Sequence, residues 1–79
     1  MKHTIVIALA GWCFIGKQKP HSEKGEITLT DASVIRVWGT TKGVGEIALN
    51  GAQQDTILDP CGEVSIPPAS QVAVLKCNW

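Results

Sequence analysis

Residues 27–51 read ITLTDASVIRVWGTTKGVGEIALNG, and the fold turns on whether their glycine-rich centre opens a nucleotide-binding βαβ unit or rounds a corner between strands. The first part alternates. With Glu26 ahead of it, Thr28 and Thr30 interleave with Ile27 and Leu29 as in a half-buried strand. Asp31-Ala32 reads as a turn, and residues 33–38 resume as a second strand, with Val34, Arg36 and Trp38 on one face and Ile35 and Val37 on the other. After Gly39 the period changes. Thr40 or Thr41 can serve as an N-cap, and Glu46-Ile47-Ala48-Leu49 before Asn50-Gly51 reads as a short helix near residues 42–50 with a stop signal at its end. GVGEIA also matches the G-x-G-x-x-A dinucleotide fingerprint behind a strand. That fold needs repeated strand–helix–strand units, whereas the chain after Gly51 offers only short extended runs. GTTKGVG lacks the G-K-[S/T] ending of a P-loop. The fold is therefore expected to be mostly β.

Outward from this stretch the same pattern holds. Residues 4–9 and 12–17 read as strands meeting near Ala10-Gly11, and residues 17–25, with Pro20 and Gly25, as an exposed connection. TIL (56–58) is a short extended piece, DPCG (59–62) a turn that includes Cys61, and EVSIP a strand ended by Pro67-Pro68. QVAVLKC (71–77) alternates, with Val72, Val74 and Lys76 on one side and Ala73, Leu75 and Cys77 on the other. The sum is about six short strands and one short helix in a meander or barrel-like sheet, a single domain over residues 1–79.

Although Lys2 and His3 followed by an apolar run resemble a secretory signal, the small-residue site Ala8-Leu9-Ala10 leaves too short an apolar region before it. The run is also too short to span a membrane. Three cysteines, an odd number, fit isolated thiols better than a disulfide framework, with Cys13 and Cys77 as packing residues. A cytoplasmic location is the expectation.

Seven Lys and Arg balance seven Asp and Glu, so no overall basic field favours strong nucleic-acid binding. The charges are unevenly placed: residues 1–42 carry six bases and three acids, residues 43–79 one base and four acids. That asymmetry fits a basic face meeting an anion, a head-to-tail contact between copies, or simply two solvated faces. A chain this short buries only about 60% of its unfolded surface, so a homo-oligomer is expected.

For function, glycine-freed backbone N–H groups at a helix start can hold an anion. Thr40, Thr41 and Lys42 would add donors, Gly43 an unobstructed backbone, and Arg36 and Trp38 a guanidinium and a stacking surface. These six residues are the candidate ligand site. The competing reading makes Trp38 a core anchor, the threonines a cap and the glycines tight corners. Catalytic and metal readings are weaker: His3 and His21 have no spacing that brings either to Cys61, and no C-x-x-C or H-x-x-x-H occurs. No catalytic residue, metal or cofactor is assigned, and no enzyme activity is expected.

GWCFIG, ITLTDASVIRVWGTT and GEIALNG followed by DTILDPCGEV together resemble a family of short β-rich accessory proteins of tailed phages and prophages. The resemblance implies a cytoplasmic, non-enzymatic binding protein and brings no catalytic set. It favours sequestration of a small phosphorylated ligand, such as a signalling cyclic nucleotide, to antagonise host defence. The alternatives are a protein antagonist of a host factor, acting through a β edge or an exposed Trp38/Trp79 surface, and a purely structural oligomeric accessory protein.

Overall fold

A computed structural model describes residues 2–20, 25–40 and 43–79. The fold is mostly β. Five strands, β1 (Thr4–Ala8), β2 (Cys13–Gln18), β3 (Ile27–Val37), β4 (Ile57–Ile66) and β5 (Gln71–Lys76), form one antiparallel sheet, with a helix, α1 (Val44–Asn50), between β3 and β4. The sheet order is β4-β3-β2-β1-β5, a four-stranded meander of β1 to β4 with β5 added beside β1.

Two expected turns are bulges: one merges two expected strands into β3, leaving five rather than six, and the other joins the short TIL piece to the EVSIP strand as β4. Asp31, at φ 48°, lies inside β3 instead of reversing the chain, and the pairing with β4 shifts between Leu29 and Ala32. Gly62, at φ 79° and paired with Ala32, does the same inside β4, so DPCG is strand and the exposed Cys61 is a strand residue. Asp and Gly tolerate positive φ, which serves a bulge as well as a turn. An extra residue moves later side chains to the opposite face. Ile27 and Leu29 accordingly pack on one side of the sheet and Ile35 on the other; in β4, Val64 and Ile66 lie on the first side and Leu58 on the second.

Both faces are thereby given cores. On one, Val6, Ala8, Ile27, Leu29, Ala32 and Ile66 cluster with Phe14 and Val64. On the other, Ile5, Cys13, Ile15, Ile35 and Cys77 receive Ile47 and Ala48 of α1. The interior strand β1 is covered from both directions, Ile5 and Val6 being fully buried, which explains the apolar run Ile5–Ala8 that follows Thr4. Only Pro67 and a 3-10 turn, Pro68–Ser70, separate β4 from β5, although these are the two edges of the sheet. The sheet must therefore coil to bring those ends together. The Gln71 side-chain amide marks the approach, donating to the carbonyls of Ile66 (3.0 Å) and Gly25 (2.9 Å).

The helix starts at Gly43 with no side-chain cap, not at a threonine N-cap. Its end is held from three sides: the Gly51 N–H reaches the Ile47 carbonyl (2.9 Å), Asn78 N–H that of Ala48 (2.8 Å), and the Trp79 indole N–H that of Ile47 (2.6 Å). These donors satisfy carbonyls that a helix end leaves open.

Candidate functional site

The segment after β3 is built as a corner. Gly39, at φ 62°, lies so close to the chain entering β4 that a Cβ would overlap the Asp55 carbonyl group. The Thr56 hydroxyl donates to the Trp38 carbonyl, and the Thr40 hydroxyl donates to the Gly43 carbonyl at 2.7 Å. The Trp38 ring edge passes 3.5 Å from where a Gly43 Cβ would stand. Arg36 reaches sideways along the sheet, its Nε 2.8 Å from Asp59 Oδ2. Trp38, Thr40 and Gly43 are thus brought together, while Arg36 is engaged on β4. Thr41 and Lys42 lie outside the described residues. With seven residues, α1 is too short to present a strong N-terminal field.

Cations converge elsewhere. The register Thr4↔Gly16 and Thr4↔Lys76 sets the end of β2 and the end of β5 on either side of the start of β1. There Lys2, His3, Thr4, Gln18, Lys19 and Lys76 line an open cleft of about 380 Å³, and no carboxylate side chain lines it among the described residues. Lys76 Nζ donates to Gln18 Oε1 at 2.8 Å, and the buried Thr4 hydroxyl to the same oxygen at 3.5 Å. Lys19 is tied at its rim to Glu63 (3.1 Å). His3 is fixed by two contacts to the Trp79 backbone oxygen, from its N–H (2.7 Å) and from Nδ1 (3.1 Å), with the indole and imidazole centroids 4.5 Å apart and their planes tilted by 36°. Trp79 is therefore a packing residue rather than part of an exposed aromatic surface.

Sequence spacing gave no sign of this cleft, because its lysines lie at positions 2, 19 and 76. The one hint was the basic excess of the first half of the chain. Cys77 closes the cleft from below, and burial raises its thiol pKa above the ordinary value. Among the described residues no three of His, Cys, Asp and Glu converge as metal ligands would, and no helix is long and apolar enough to cross a membrane. Comparison of the chain with protein-family models, with curated proteins and with solved structures found no match.

Proposed function

We propose that this chain is a non-enzymatic binding protein for a small phosphorylated anion, held in the lysine cleft rather than at the glycine-rich corner. The observation that supports this is the convergence of Lys2 and Lys76, with the Glu63-paired Lys19, around a cleft that no carboxylate side chain lines among the described residues. Lysines bind phosphate as point charges, and the Gln18 side-chain amide adds a polar contact that orients the ligand. The resemblance to phage accessory proteins supplies the setting: sequestration of a host signalling nucleotide in the cytoplasm. Calorimetry and thermal shift with inorganic phosphate, linear nucleotides and cyclic nucleotides at low salt test it. Lys2→Ala and Lys76→Ala are each expected to weaken binding by about 1 kcal/mol, roughly fivefold, since these ammonium groups are solvent-facing. Lys42→Ala should leave affinity unchanged. Absence of binding by every phosphorylated compound would overturn the reading, and a selective loss in Lys42→Ala would return the site to the corner.

A second reading, a protein antagonist, is favoured by one patch. Val37 and Ile57 are paired across β3 and β4, and with Trp38 they are 42%, 38% and 44% exposed. Capture of a host protein that Trp38→Ala abolishes, together with indifference to phosphate compounds, would support it instead.

A further inference from the structure

The lysine cleft is selective in the groups it presents. Gln18 Oε1 accepts from the Lys76 ammonium at 2.8 Å, with the Thr4 hydroxyl approaching the same oxygen at 3.5 Å. An ammonium only donates, so the carbonyl end of the Gln18 amide must face Lys76. The N–H donors of that amide then have no protein partner among the described residues. Lys2 likewise has no carboxylate partner among them, whereas Lys19 is held by Glu63. Ammonium and amide donors are best matched by a ligand dense in acceptor oxygens.

Strand register sets the spacing of these donors. Lys76 is paired with Thr4, and the ladder continues outward through His3, whose carbonyl accepts from the Cys77 N–H. Lys2 and Lys76 are therefore diagonal neighbours across β1 and β5, their stems about 7–8 Å apart. Gln18 is diagonal to Thr4 on the other side, because Thr4 is paired with Gly16. Donors so spread around Thr4 suit consecutive phosphates better than a single one.

A base finds no platform here. Among the described residues, His3 brings the one aromatic ring to the cleft, and Trp79 already packs against it. Trp12 and Phe14 stack on each other toward the opposite end of β2. Six residues of extended chain, about 20 Å, separate Trp12 from Gln18. Trp38 follows the end of β3 that lies beside the start of β2, so it too stands away from the cleft. Single bases are held by stacking on such rings, and the cleft lacks one to offer.

Resting on the anion reading of this cleft, we infer that its ligands are linear di- and triphosphate chains, recognised by oxygens and charge whatever organic group they carry, with Gln18 as the residue that demands an acceptor. A terminal phosphate brings about two charges and three acceptor oxygens. A cyclic phosphodiester has a single charge and leaves its recognition to the base. Among nucleotides the cleft thus selects linear ones with a phosphate chain over cyclic ones.

Calorimetry of the full chain at low salt, without divalent cations, compares inorganic phosphate, pyrophosphate, tripolyphosphate, ATP, CTP and cyclic AMP. Affinity is expected to rise about threefold or more with each added phosphate. ATP and CTP should agree within about twofold and bind no more tightly than tripolyphosphate, since no ring stacks on the base. Cyclic AMP should bind about tenfold or more weakly than ATP. Gln18→Glu replaces the amide donors by a charge that repels the ligand and neutralises Lys76, so tripolyphosphate affinity should fall about tenfold or more with native circular dichroism kept. If that variant fails to fold, the ligand series on the wild-type chain decides. Failure of every phosphate compound to bind would overturn the anion reading and this inference with it. A preference for one base over the other, cyclic AMP matching ATP, or unchanged tripolyphosphate affinity in a folded Gln18→Glu variant would overturn this inference and leave the anion reading standing.

Discussion

Gly39 and Gly45 lie six positions apart in one glycine-rich segment, yet they face opposite constraints. Gly39 has positive φ and the Asp55 backbone where a Cβ would go; Gly45, inside α1, has nothing within 4 Å. Gly39→Ala should therefore cost about 1–3 kcal/mol through overlap that only backbone movement relieves. Gly45→Ala should stabilise by about 0.5–1 kcal/mol through helix propensity. Urea melts of the two variants check both signs. Cys77 adds a pH effect. Its thiol pKa is raised by burial, so as pH rises the unfolded chain releases the proton first. Stability from this group is complete below the ordinary thiol range and should decline above about pH 8.5, a slope that Cys77→Ala would remove. Thiol labelling should find exposed Cys61 fast, and buried Cys13 and Cys77 slow.

Among the elements, β3 shows why local signals were read correctly in kind and wrongly in consequence. Alternation on either side of Asp31 was legible, and both halves are strand. What alternation did not reveal is that the chain continues straight through, with one inserted residue exchanging the buried faces. Positive φ at a small polar residue or a glycine is required by turn and bulge alike, so neighbouring strands had to be seen together. Deleting Asp31 should abolish cooperative folding, because Ile35 would then turn away from α1. Asp31→Gly should preserve the fold and stabilise it by up to about 1 kcal/mol by relieving the left-handed backbone. Circular dichroism and chemical denaturation separate the two results. The end of α1 was equally legible from Asn50-Gly51. Its threonine cap was not realised, since the Thr40 hydroxyl is committed to the Gly43 carbonyl.

For the whole molecule, β1 carries more of the fold than any edge strand. It pairs with β2 and β5, feeds both cores and sets the floor of the lysine cleft. Removing residues 2–9 should leave an unfolded chain by circular dichroism and hydrogen exchange. A domain of this length has only about 4–12 kcal/mol of stability to lose. The cleft shares the scale of the whole sheet: residues 2, 19 and 76 meet only because β5 returns beside β1.

The sequence alone determined the β class, the position of the helix, the sidedness of β5 and the burial of Cys13 and Cys77, because each follows from side-chain periodicity over a few residues. It left the glycine-rich segment open between a ligand site and a tight corner, and the approach of the Asp55 backbone to Gly39 is visible only in the folded chain. Tertiary structure decided the strand count, the exchange of faces at Asp31 and Gly62, the engagement of Arg36 by Asp59 and the meeting of three distant lysines. Those features depend on which strand lies beside which. Pairing partners are selected by burial on both faces of the coiled sheet at once, and that balance is a property of the whole chain.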